Sequence, residues 1–251
     1  HDNVLAYPIA VSYSEKIAKE AGVTPLEIIS GVEINTIYKN TEIHILGYFM
    51  NRENADFKAM LKQQQAARIE QTNEIITLLN KKEGIHVTFD KIKNLVAEGG
   101  SIGRPHIAKA ITMAGGTSSV MEAYNKYIND DSNVYVQRKT VTPHDAIEII
   151  YDAGGIPVFA HPFDVENAEE LIKEFMHYGL RGVEAYHRKH SPAMVEYYSS
   201  IAEKYGLIIT GGSDFHAPNP NNGQIILGKN FIPEWIYDQL MKEKKQLDLA
   251  R

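Results

Sequence analysis

The sequence predicts an α/β fold, one barrel-like domain carrying a helical insertion, and three observations lead to it. Beyond Thr140, short apolar runs alternate with amphipathic stretches, the pattern of βαβ units around a parallel sheet. Between residues 84 and 139 that alternation stops, and short helical pieces are separated by Gly99-Gly100 and Gly115-Gly116. The length of 251 residues, with 43% apolar and 23% charged, suits one large α/β domain whose core needs no covalent staples. The barrel is therefore assigned to residues 1–83 and 140–251, and the insertion to residues 84–139.

Taken in order, residues 8–21 read as a helix stopped by Gly22. Residues 27–34 and 42–49 are β-branched, apolar-rich strands flanking a polar Lys39-Asn40 turn. Over residues 55–82, Phe57, Leu61, Ile69, Ile76 and Leu79 recur on one side of a long amphipathic helix. The insertion supplies helical pieces over 89–98, 104–113 and 120–127. Thr142-Pro143 then opens a helix with an N-cap and a first-turn proline, ending at Gly154-Gly155. Strand 156–160, helix 167–178 and strand 182–186 follow. A helix capped by Ser191-Pro192 leads to strand 207–210.

Composition narrows the chemistry. The chain has ten histidines and no cysteine, which excludes a disulfide framework, a thiolate zinc ribbon, thiol catalysis and iron–sulfur ligation. The formal charge of −6 argues against a dedicated duplex-DNA binder. No apolar run reaches bilayer length and no leader-like segment opens the sequence, so no membrane partner and a cytoplasmic setting are expected. From Lys81 to Lys139 there are nine basic and six acidic residues, so a mildly basic insertion stands on an acidic body. That is consistent with an anionic substrate, although charge alone favours a solvated helical face.

Candidate chemistry gathers at strand ends. The 156–160 strand runs into His161-Pro162, and the 207–210 strand runs through Gly211-Gly212-Ser213 into Asp214-Phe215-His216. Glu33 closes one early strand and His44 lies in the other. Carboxyl ends of strands converge on one face of an α/β barrel. A lone carboxylate such as Glu33 among apolar neighbours is costly unless paired or metal-bound. Imidazole and carboxylate ligands suit Zn²⁺, Mn²⁺ or Fe²⁺, and paired ions favour phosphoester hydrolysis. His-Glu-x-x-His and Gly-x-Ser-x-Gly are absent. Residues 223–229 mimic a phosphate loop, but Asn230 stands where Ser or Thr should bind magnesium and the interior reads as a strand.

Gly31-Val32-Glu33, His44-Ile45-Leu46-Gly47-Tyr48, Gly103-Arg104-Pro105-His106, Ala160-His161-Pro162 and Gly211–His216 stand in the order seen in the PHP (polymerase and histidinol phosphatase) phosphoesterases, which the chain resembles over nearly its whole length. The branch it resembles comprises small bacterial enzymes acting on nucleoside 3',5'-bisphosphates and, as ribonuclease AM, on short RNA 5' ends. The resemblance implies a distorted seven-stranded (β/α) barrel with two to three divalent ions, Mn most of all, or Fe or Zn. It implies that Glu33 bridges two ions, that His44 and His161 complete the second, that Asp214 serves the first, and that His1 and His216 serve the third. Glu33, His161 and Asp214 are then the catalytic set. The family's leading Asp-x-His-x-His and Ser-Asp-Gly motifs would precede His1-Asp2, so a first strand carrying them is expected upstream. Arg104 is expected to grip a phosphate, with Ser101 and His106 beside it. His187 and His190 follow the 182–186 strand on the catalytic face, where they could touch substrate, and His190 is carried forward as a binding residue.

The implied activity is hydrolysis of a phosphate monoester of a small nucleotide by metal-activated water. The alternatives are a 5'→3' exonuclease on short RNA or DNA ends, a histidinol-phosphatase-like phosphatase, and an inactive metal- or nucleotide-binding module.

Overall fold

In the computed structural model, which describes residues 1–97, 100–129, 131–216, 218 and 223–251, the sheet decides where the chemistry falls. Five strands lie side by side in chain order: β1 (Gly31–Tyr38), β2 (Thr41–Tyr48), β3 (Ile156–Phe159), β4 (Gly182–His187) and β5 (Ile208–Gly212). β1, β2 and β3 pair antiparallel, and β3, β4 and β5 pair parallel. The α/β class stands. Among the described residues the sheet is mixed and five-stranded, where the family resemblance implied a seven-stranded barrel.

The first hairpin departs from expectation. β1 begins at Gly31 rather than residue 27, because Lys39 and Asn40 both adopt left-handed backbone (φ 48° and 68°), forming a tight two-residue turn. That turn fixes the register from Tyr38 opposite Thr41 to Gly31 opposite Tyr48. Alternation then sorts the side chains. Val32, Ile34, Ile43 and Ile45 enter the main core, while Glu33, Asn35, Glu42 and His44 share the other face. Glu33 thus sits near the start of its strand, not at its end.

Helices cover the apolar face. α6 (Pro143–Asp152) is set by a reciprocal cap in which Thr142 and Asp145 bond each other's side chains and backbone N–H groups. It packs on β1, β2 and β3 so closely that a Cβ on Gly47 would meet Ile150 at 3.1 Å. α7 (Ala168–Met176) adds Phe175 and Ile172 to the same core, and α8 (Pro192–Tyr205) packs on β4 and β5. α9 (Glu234–Leu249) has no counterpart in the sequence reading. Its Leu240 and Leu247 cover Ile156, Val158 and Ile208 on the opposite sheet face.

α1 (Ala6–Ala21) precedes the sheet, and α2 (Ala55–Leu78) begins at an Asn54 cap bonded to Phe57 N–H. α2 passes into a π-helical turn (Leu79–Glu83) and stops at left-handed Gly84. Its end, with Ile75 and Leu79, joins α3 (Phe89–Lys93), α4 (Arg104–Met113) and α5 (Val120–Ala123) in a second hydrophobic cluster built on Ile92, Ile107, Ile111 and Ile128. α3 is shorter than the helix expected over 89–98, whose last residue lies outside the described set. Residues 223–229 form neither strand nor helix. Among the described residues no helix is long and apolar enough to cross a membrane.

Candidate metal centre and substrate cleft

Glu33 is the centre of the polar face. Its Oε1 lies 2.7 Å from His44 Nδ1 and 3.1 Å from His161 Nε2, and its Oε2 lies 3.5 Å from His1 Nδ1. His1 Nε2 faces His216 Nε2 at 3.0 Å, and His44 Nδ1 faces His161 Nε2 at 3.3 Å. Two donor sets follow, Glu33–His44–His161 and His1–Glu33–His216, each compact enough for one ion. Ring nitrogens aimed at each other around one carboxylate need a proton or a cation between them, so the donors fit divalent ions. Burial works to raise the Glu33 pKa, but hydrogen bonds from His161 and His44 hold it well below the usual carboxylate range. His44 rises to about 9: burial opposes its charge, and the Glu33 and Glu42 carboxylates outweigh that.

The backbone at this rim is strained. His161 (φ 24°), Asp214 (φ 49°) and Asp2 (φ 56°) are among the few non-glycine residues with positive φ, a feature that concentrates at functional sites. His161 follows the end of β3, and Glu184 on β4 accepts its backbone N–H at 2.9 Å. Burial pushes the Glu184 carboxyl up to about 7. Asp214 stands outside both three-donor sets. Its carboxylate is 3.4 Å from His216 Nδ1 and 3.7 Å from His187 Nε2. Its pKa is lowered: burial opposes this, and His187 and His216 prevail.

Behind His1 lies a charge network that the sequence did not reveal. Asp2, fully buried, receives Arg68 at 2.6 Å and Arg138 at 3.4 Å, and its Oδ1 accepts from Asn35 N–H and Gln64 Nε2. Asp2 N–H donates to Glu33 O, fixing the start of the chain along the outer edge of β1. Arg68 also reaches Asn35 Oδ1 and Ile102 O, tying the sheet to the segment that leads into α4.

A cleft of about 770 Å³ opens over the donors. Arg104, Tyr124, Tyr135 and Gln137 line it from the segment between α2 and α6, and Phe163, His187 and Lys189 from the sheet side. Arg104 Nη2 bonds Glu42 Oε2 at 2.6 Å and Tyr135 OH at 2.8 Å, with its guanidinium over the Tyr135 ring. The other expected binding residues do not line the cleft. Ser101 Oγ is buried, His106 Nδ1 accepts Gly103 N–H as a helix cap, and His190 Nδ1 faces Ala185 O beside Phe163 and Tyr198. Sequence reading also missed Glu42 and Asn35, although strand alternation places both on the His44 face.

No family model matches this sequence. It is 31% identical over 245 residues to a 5'-3' exoribonuclease of Haemophilus influenzae, covering 94% of this chain and 85% of that protein. A 3',5'-nucleoside bisphosphate phosphatase of Chromobacterium violaceum is 28% identical over 197 residues, 77% of this chain and 69% of that one. Among solved structures, a metal-dependent phosphoesterase from Bifidobacterium adolescentis superposes with a TM-score of 0.81 at 27% identity, covering 96% of this chain and 83% of that chain.

Proposed function

The chain belongs to the family of metal-dependent phosphoesterases that includes the bacterial 5'-3' exoribonucleases, and on that premise we propose that it removes phosphate from a small nucleotide such as a nucleoside 3',5'-bisphosphate. The observation that carries this reading is the shared Glu33 carboxylate between two three-donor sets at the floor of a cleft of nucleotide size. Glu33, His44 and His161 would hold one divalent ion and His1, Glu33 and His216 another, with Asp214 at the rim; Mn²⁺, Fe²⁺ or Zn²⁺ suits such donors. Ions there would supply an activated water and neutralise charge developing at phosphorus.

The chain's own residues do the remaining work. Arg104 offers a planar fork to a phosphate, and its Glu42 and Tyr135 partners aim it into the cleft. Tyr124 and Phe163 present aromatic surface on which a base can stack. Lys189 adds positive charge beside Phe163. We read the five strands as part of the distorted barrel that the PHP resemblance implies, residues 84–139 as its insertion, and the cytoplasm as its compartment.

A second reading is 5'→3' trimming of short RNA ends, favoured by the likeness to the exoribonuclease. Phosphate release from an adenosine 3',5'-bisphosphate with Mn²⁺ tests the first, and a 5'-phosphorylated dinucleotide separates the two. Glu33→Gln should lower the rate by about a hundredfold or more, since it removes a carboxylate common to both donor sets. Retained activity in that variant, or no hydrolysis of any phosphoester by the Mn²⁺-loaded full-length protein, refutes the proposal.

A further inference from the structure

Glu42 belongs to neither donor set, yet it touches both the metal centre and the cleft arginine. It precedes His44 by two residues on β2, so the pleat puts both side chains on one face. Its Oε1 lies 3.2 Å from His44 Nε2, on the ring edge away from Glu33 and His161. Asn35, directly across the ladder from His44, has its Oδ1 occupied by Arg68. Its Nδ2 therefore turns towards Glu42 Oε1, to which it donates, and lies 3.0 Å from His44 Nε2. The second oxygen, Oε2, holds Arg104. A carboxylate accepting from the far nitrogen of a metal-binding histidine fixes the ring's tautomer and strengthens it as a ligand.

We propose that Glu42 is a positioning residue with two duties: it keeps the His44 proton on Nε2, so that Nδ1 faces the ion, and it holds Arg104 at the cleft wall until a substrate phosphate takes it. The inference rests on the reading of His44 as a metal ligand. It assigns Glu42 to the wiring between metal and phosphate recognition, not to contact with either the ion or the reacting atoms.

The test is Mn²⁺ titration of the chelator-stripped protein by calorimetry, with melting curves to verify folding. Glu42→Ala should weaken Mn²⁺ binding about 10–100-fold. Glu42→Gln, which keeps an acceptor for the Nε2–H, should recover part of that loss. Arg104→Met should leave Mn²⁺ affinity unchanged while raising KM for the bisphosphate. A folded Glu42→Ala variant that binds Mn²⁺ as tightly as the parent overturns the inference. Parent protein that binds no Mn²⁺, or His44→Ala binding it as the parent does, overturns the metal reading and this inference with it.

Discussion

Glu184 offers the sharpest quantitative prediction. Burial lifts its carboxyl from an ordinary 4.5 to about 7 in the folded protein. Between those values the folded state holds a proton that the unfolded chain has released, so stability must fall as pH rises through this window. At 1.36 kcal/mol per pKa unit, the full cost is about 3 kcal/mol once pH exceeds the folded value. Glu184→Gln mimics the protonated acid and keeps an oxygen to accept the His161 N–H. Urea denaturation of chelator-stripped parent and variant should therefore coincide near pH 4.5. By about pH 8 the variant should be more stable by about 3 kcal/mol. Taking the difference cancels the opposite contributions of Glu33 and the other groups common to both proteins. Parallel stability curves, with no gap opening between about pH 5 and 8, would refute the assignment of Glu184 as a buried carboxyl held protonated near neutrality.

Other outcomes follow from the same geometry. Arg104→Ala should lower kcat/KM about 10–100-fold, the worth of charge-assisted hydrogen bonds to phosphate; Arg104→Lys should not restore it, because an ammonium lacks the fork. An Arg104→Ala enzyme with unchanged kcat/KM excludes the residue from substrate binding. Asp2→Asn leaves Arg68 and Arg138 buried without their counter-charge and should destabilise the fold by about 3–5 kcal/mol. A urea midpoint within experimental error of the parent contradicts that. Together with Glu33→Gln and Glu42→Ala, these substitutions separate ligand, positioning, binding and structural roles.

Much of this was legible in the residues. Local pattern revealed β2, β3, β4 and β5, most of α2, and the motifs carrying His44, His161, Asp214 and His216, because each depends on neighbours in sequence. β1 shifted because register is decided by the conformation of two turn residues, which apolar content alone does not report. The Asp2–Arg68–Arg138 network joins residues 66 and 136 positions apart, and no periodicity marks such a pairing. Glu42 escaped for a subtler reason: in sequence it is one more charged residue at a strand start, and only its pairing with His44 and Arg104 gives it meaning. Ser101 and His106 follow from proximity to Arg104 along the chain, and His190 from its place after β4; none of the three is among the residues that line the cleft, and His106 caps α4.

The Lys39-Asn40 turn reaches further than its two residues suggest. It locks a hairpin that carries the candidate metal donors Glu33 and His44 on one side and Val32, Ile34, Ile43 and Ile45 of the hydrophobic interior on the other, written in alternate letters of the same two strands. A slip of one residue would drive Glu42 and His44 into the packing of α6 and turn Ile43 and Ile45 out into the cleft. Folding and reactivity therefore fail together here. A lineage can retune this enzyme through Arg104 and the insertion, but a one-residue insertion or deletion in the turn would erase chemistry and core in a single event.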